Sequence, residues 1–177
     1  MFRVKSIHLK THWILVVMDQ CTRRIIGFGV QAVAVDGVAL CRMFNQAIAG
    51  QSLPVRLSLD HDPLFQFRQW QANLRILLVE AIQTVPYVPV SHPFIERLIG
   101  TLRREYLDWV LFWSQRDLEQ KLEAFKNYYN RHRVHQGLAG KTPEEAASAQ
   151  ATPQPTNYQK YAWQSHCNGL FELPITA

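Results

Sequence analysis

Three prolines, Pro86, Pro89 and Pro93, divide this sequence into two parts with different hydrophobic periods. Proline fixes φ, removes a backbone donor and holds the residue before it extended, so neither a helix nor a paired strand runs through such a stretch. Before the prolines the apolar residues come in strand-length runs. After them they recur at helical spacing. A chain built this way is of the mixed α/β class.

The first part opens with His12–Met18, apolar and β-branched, ending at Asp19. A second run, Arg24–Val30, follows a short polar link, which predicts a hairpin of antiparallel strands. Asp36 is placed to cap a helix whose stripe is Leu40, Phe44, Ala47 and Ile48, and Gly50 ends it. Val55–Leu59 alternates and breaks at Asp60-His61-Asp62-Pro63, a strand entering a turn. Leu64–Ala72 is amphipathic, and Arg75–Ile82 is expected to be another strand.

Beyond Pro93, Ile95, Ile99, Leu102 and Tyr106 define one buried helical face, with Glu96, Gly100, Arg103 and Leu107 on the next. Ser114–Asp117 resembles a capping box ahead of a stripe of Leu118, Leu122, Phe125 and Tyr129. Thr142-Pro143-Glu144-Glu145 starts a short helix. Residues 149–156 have linker composition, and the tail, too short for a domain, is expected to pack on the rest. The expected organisation is a core over 1–148 and a linker with tail over 149–177.

No apolar run approaches the ~20 residues of a membrane span, and no secretory leader pattern opens the chain. Cys21, Cys41 and Cys167 lie far apart without metal spacing, which suits reduced thiols in the cytoplasm. The net charge of +5 favours an acidic partner such as nucleic acid. The five tryptophans are scattered and suit a core or an interface better than a base-stacking platform.

Two carboxylates stand at element boundaries: Asp60 closes a strand, and Glu96 falls in the first turn of a helix. Such acids serve as caps and helix-dipole partners. They also converge on one point when strand end and helix meet, and half-hydrated carboxylate oxygens suit Mg²⁺ or Mn²⁺. Residues alone leave both readings open. His132 and His135, at i and i+3 near a helix end, suit a phosphate contact or a helix-end cation. Zinc binding there would need a third ligand, and no cysteine lies near.

The segments Ser58-Leu59-Asp60-His61-Asp62-Pro63-Leu64-Phe65 and His92-Pro93-Phe94-Ile95-Glu96-Arg97 resemble the second- and third-acid blocks of retroviral-type integrase cores and bacterial insertion-sequence transposases. The interval between the acids, residues 61–95, matches that family's spacing. Leu15–Arg24 resembles its second strand and turn. Tyr129-Asn130, Arg133, His135, Leu138 and Thr142-Pro143 resemble the Y-N-x-x-R-x-H-x-x-L-x-x-x-T-P block of bacterial members. Tyr161–Trp163 and Gly169–Phe171 resemble the tail of one subgroup.

The resemblance implies an RNase H-like fold, a five-stranded mixed sheet flanked by helices. It implies metal-dependent cleavage and strand transfer in DNA transposition, with Asp60 and Glu96 as catalytic metal ligands and two Mg²⁺ or Mn²⁺ ions in an intact relative. It implies DNA contacts at Arg97, Arg103, Arg104, Arg133 and His135, and a homo-oligomer on DNA. The sequence departs from the pattern in three places. The family's first acid would fall at or just before residue 1, where this chain has none, so a truncated and inactive or nearly inactive enzyme is expected. Asp19 matches a different, turn-forming acid. Asp62 stands where the family has glycine, which leaves Asp60 and Asp62 as competitors for the metal. A DNA-binding or dimerising remnant is the alternative function, and an RNase H-like nuclease a further one.

Overall fold

The structure is a computed structural model; residues 1–60, 62–83, 93–148 and 161–176 are described below. The chain divides into two compact units, Met1–Met18 with Ile26–Glu119, and Asp19–Ile25 with Gln120–Ala177.

In the first unit, β1 (Phe2–Lys5) pairs antiparallel with β2 (Thr11–Met18), Phe2 opposite Ile14 and Lys5 opposite Thr11. β3 (Ile25–Gln31) joins them in the order β1-β2-β3. β1 is a strand the sequence analysis left unassigned, because four residues, FRVK, carry little pattern of their own. β4 (Arg56–Leu59) pairs parallel with β5 (Glu80–Gln83). The five strands expected of the α/β core are therefore present. Their described ladders form a three-stranded and a two-stranded sheet, not one continuous sheet of five.

Helix α1 (Gly37–Ile48) is capped as its sequence predicts, with the Asp36 carboxylate accepting from the Ala39 N–H at 2.7 Å. Two glycines on β3 let this helix lie directly on the strand. A methyl group on Gly27 would run into the Ala47 carbonyl, and one on Gly29 into the Met43 carbonyl. The core under the helix joins Leu15, Val17, Leu40, Met43, Phe44, Leu59, Phe65, Trp70 and Leu74. Trp70 is its largest member, edge-on to Phe44 at 5.1 Å.

The stretch read as a strand over Arg75–Ile82 is corrected here. Helix α2 (Arg68–Ile76) runs to Ile76, and the strand begins only at Glu80. Trp70 and Leu74, one helical turn apart, face the core, while Ile76 and Leu78 are 81% and 87% exposed. The apolar run thus spans a helix end, a left-handed residue (Leu78, φ 56°) and the start of a strand. A single period cannot reveal that.

Helix α3 (Pro93–Thr101) continues into a π-helical turn, Leu102–Leu107, closed by the Asp108 N–H donating to the Arg103 carbonyl at 2.9 Å. Its buried face is Leu98, Thr101, Leu102 and Tyr106, with Ile95 and Ile99 at the rim. The loop after it exposes Trp109 and Trp113, so these two are not core residues.

The second unit holds the part of α4 (Gln115–Arg131) beyond Glu119, the turn 19–25, α5 (Pro143–Ala147) and the hairpin β6 (Tyr161–His166) with β7 (Phe171–Thr176). Within this unit the hairpin meets α4, where Phe171 stacks on Tyr128 with rings parallel at 4.1 Å. Asn130 clamps the backbone of Ile25, accepting from its N–H at 2.8 Å and donating to its carbonyl at 2.9 Å. Thr142 and Glu145 form the reciprocal capping box that starts α5. The expected linker, 149–156, lies outside the described residues.

Candidate active site

Asp60 follows the last residue of β4, and its side chain is exposed. One of its oxygens, Oδ1, accepts from the Asp62 N–H at 3.1 Å. Asp62 is engaged differently. Its carboxylate accepts from the Leu64 N–H at 3.0 Å and caps the 3₁₀ turn Pro63–Gln66. Pro63 in the first position and an acid before it are a strong local signal for such a turn. Each of the two competing carboxylates accepts one backbone N–H through one oxygen; the Asp62 bond caps the 3₁₀ turn, and the Asp60 bond does not.

Glu96 lies in the first turn of α3 and is exposed. Among the described residues no hydrogen bond or ion pair engages it. One helical turn on is Gly100, and one further is Arg104. The Arg104 guanidinium lies across Gly100, 3.1 Å from where a Cβ would stand. The absent side chain therefore gives Arg104 room to fold back along the helix toward the turn of Glu96. The i, i+4, i+8 spacing carried this arrangement, although the sequence analysis drew no role for Gly100 from it. The Arg104 carbonyl also accepts from the Trp109 indole N–H at 2.8 Å.

Arg103 is exposed but tethered. Its Nη2 donates to the Arg3 carbonyl at 3.4 Å, and the guanidinium lies over the Phe2 ring at 5.1 Å. This side chain links the π-helical turn to β1. Arg97 is exposed on α3. Arg133 and His135 belong to the second unit, where both lie against the Tyr129 ring, at 5.8 and 4.7 Å.

The two other acids ahead of Asp60 serve local structure. Asp36 caps α1. Asp19 accepts from the Thr22 hydroxyl at 2.6 Å and the Cys21 N–H at 3.0 Å. Burial pushes the Asp19 carboxyl up, but the Thr22 and Cys21 hydrogen bonds with nearby Arg24 outweigh it and hold the group below its ordinary value. This is the turn-organising role expected of Asp19. Among the described residues no group of three or more His, Cys, Asp or Glu is placed to hold a metal ion. No helix among them is long and apolar enough to cross a membrane.

A family model described as "Integrase core domain" matches residues 78–143, a segment that contains Glu96. An uncharacterized 39.2 kDa protein of insertion element IS476 from Xanthomonas euvesicatoria is 26% identical over 143 residues, 81% of this chain. The chain spans 41% of that relative's length. Among solved structures, the HTLV-2 integrase catalytic core domain in complex with magnesium has a TM-score of 0.64 at 15% identity, covering 84% of this chain and 91% of that one. The simian T-cell lymphotropic virus intasome in complex with the PP2A regulatory subunit B56 gamma gives 0.69 at 16%, covering 92% and 59%. The BIV integrase core gives 0.57 at 18%, covering 82% and 89%. At these identities the structural likenesses establish the RNase H-like integrase-core fold. The matched segment, the insertion-element relative and the shared fold together make this chain similar to transposase and integrase cores over most of its length.

Proposed function

We propose that this chain is the core of a DNA transposition enzyme in which Asp60 and Glu96 are the metal-binding carboxylates, and that the chain as it stands catalyses weakly or not at all. The observation that carries the reading is the sorting of the acids. Asp19, Asp36 and Asp62 each accept a backbone N–H that builds a turn or starts a helix, whereas Glu96, exposed in a first helical turn, engages no partner among the described residues, and Asp60, exposed at a strand end, accepts from the Asp62 N–H without capping a helix. Hard, half-hydrated carboxylate oxygens fit Mg²⁺ or Mn²⁺, ions that bind through one or two carboxylates together with phosphate oxygens. When bound there, such an ion would polarise a phosphodiester and lower the pKa of an attacking hydroxyl.

The chain's own part is to hold DNA. Arg104, folded over Gly100 beside the turn of Glu96, and Arg97 offer charged donors to phosphate oxygens. Arg103 is bound to β1, so its contribution is to fix the helix on that strand as much as to touch DNA. Arg133 and His135 would add contacts from the second unit, their rings and guanidinium held by Tyr129.

With two carboxylates and no third beside them among the described residues, the site has little negative charge to hold two divalent ions. Phosphoryl transfer depends on positioning and electrostatics, so the loss is expected to reach orders of magnitude in rate. The same observation favours a second reading, a DNA-binding or dimerising protein without catalysis. DNA and a further copy of the chain are the proposed partners in either case.

The test is Mn²⁺-dependent nicking and strand transfer on supercoiled plasmid, with Asp60→Asn, Asp62→Asn and Glu96→Gln beside the unaltered chain. Retained DNA binding is expected, with cleavage near background and any residue of it lost in Asp60→Asn and Glu96→Gln. Vigorous cleavage that survives Glu96→Gln would overturn the assignment. Loss of cleavage in Asp62→Asn but not in Asp60→Asn would move the ligand to Asp62.

A further inference from the structure

The closed end of the C-terminal hairpin sits over the last turns of α4. His166 and Phe171 face each other across the hairpin ladder. Below them Tyr128 and His132 are one helical turn apart. Phe171 covers Tyr128, and the His166 ring meets the His132 ring with centroids 4.0 Å apart at 45°. No hydrogen bond joins the two imidazoles. Nε2 of His166 is buried and has no hydrogen-bond partner among the described residues. A buried ring nitrogen is ordinarily satisfied, and the tilted contact with the His132 ring does not satisfy this one.

We propose that His132 and His166 form a two-imidazole site for a divalent transition metal of the zinc or nickel class, which clips the hairpin β6–β7 to helix α4. Imidazole nitrogen suits these borderline ions and does not suit Mg²⁺. The two ligands come from a helix and a hairpin separated by residues 133–165, so binding closes a long loop in the folded chain only. No third His, Cys, Asp or Glu completes the set among the described residues. Glu144, close enough to act on His132, is paired with Arg131 at 3.1 Å. Water therefore takes the remaining positions. The site pairs His132 with a residue far along the chain, not with His135, which lies against Tyr129 instead. It does not depend on the function proposed for Asp60 and Glu96.

The test uses the untagged, metal-free full chain titrated with zinc chloride by calorimetry and thermal melting. One zinc ion is expected to bind through these histidines, and at a hundredfold excess over Kd the melting temperature of the whole chain should rise by about 5–10 °C. His132→Gln and His166→Gln should each abolish that response, whereas His8→Gln should keep it and MgCl₂ should not produce it. An unchanged zinc response in both histidine variants, or none in the unaltered chain, overturns the proposal. Ring-nitrogen NMR of the unaltered chain needs no variant: zinc should move the His132 and His166 resonances together, and shifts confined to other histidines overturn it equally.

Discussion

Asn130 offers a sharp test of how the second unit is held. It is 6% exposed, and Ile25, the residue it clamps, is 1% exposed. Both bonds are short, 2.8 Å to the N–H and 2.9 Å from Nδ2 to the carbonyl, and they bridge 105 positions of sequence. Asn130→Ala strands a buried donor and a buried acceptor at once. Each such group costs about 1–3 kcal/mol, and water entering the vacated space recovers part, so a loss of roughly 3 kcal/mol is expected. Asn130→Asp separates the two bonds. Its carboxylate still accepts from the Ile25 N–H but meets the Ile25 carbonyl without a proton. Burial and that carbonyl raise the introduced group above the ordinary value of about 3.9. Stability should therefore be recovered below its folded-state pKa, where the carboxyl donates to the carbonyl, and lost as pH rises through it. Urea unfolding at pH 7 and pH 5, read with amide exchange at Ile25, measures both effects. An Asn130→Ala variant within ~1 kcal/mol of the unaltered chain, with Ile25 still protected, would refute the reasoning.

Other expectations follow from single contacts. Gly29→Ala drives a methyl into the Met43 carbonyl and should cost at least ~2–3 kcal/mol by thermal melting, since neither backbone has room to withdraw. Gly100→Ala should keep or raise stability, as alanine favours a helix by about 1 kcal/mol, yet push Arg104 off the helix and weaken phosphate binding in a salt-dependent DNA assay. The Asp19 carboxyl is held below its ordinary value, so the unaltered chain should be more stable than Asp19→Asn at neutral pH. That margin is present above the unfolded-state pKa of about 3.9 and disappears as pH falls through the lower folded value; a margin unchanged down to about pH 2 would contradict it. Phe171→Ala removes the ring stacked on Tyr128 and should release the hairpin to limited proteolysis between residues 149 and 176.

What the sequence disclosed was mostly what backbone chemistry fixes locally. The Asp36 cap, the Asp19 turn and the Thr142–Glu145 box each rest on a few adjacent residues, and each is formed as its side chains dictate. Ser114 caps as expected, its Oγ accepting from the Asp117 N–H at 3.2 Å, but the Asp117 carboxylate accepts from the Trp113 N–H at 2.9 Å. The misassigned strand at Arg75 failed because its apolar residues serve two elements: Leu74 and Val79 are buried, with the exposed Ile76 and Leu78 between them. Contacts between distant residues had no local signal. The motif Tyr129-Asn130 was visible, but that its asparagine clamps Ile25 was not. Nor was the meeting of His132 with His166.

The fate of the early acids turns this into an argument about function. Four carboxylates precede Pro63: Asp19, Asp36, Asp60 and Asp62. Three are bonded to backbone amides of a turn or cap within three residues of themselves. A carboxylate so held cannot move to a metal without undoing the turn it made, because the amides it leaves would lose their partner. Asp60 is held by the same kind of bond, from the Asp62 N–H, and, as in Asp36 and Asp62, through one oxygen; unlike theirs, it starts no helix. On the proposed reading that bond is an asset. It fixes the carboxylate's direction at the end of β4 while leaving the other oxygen to a cation, as outer partners do for metal ligands elsewhere. Asp62, where the family has glycine, then acts as the donor that aims Asp60 and as the cap that shapes the turn, and not as a rival ligand. The departure at this position is compatible with the proposed site.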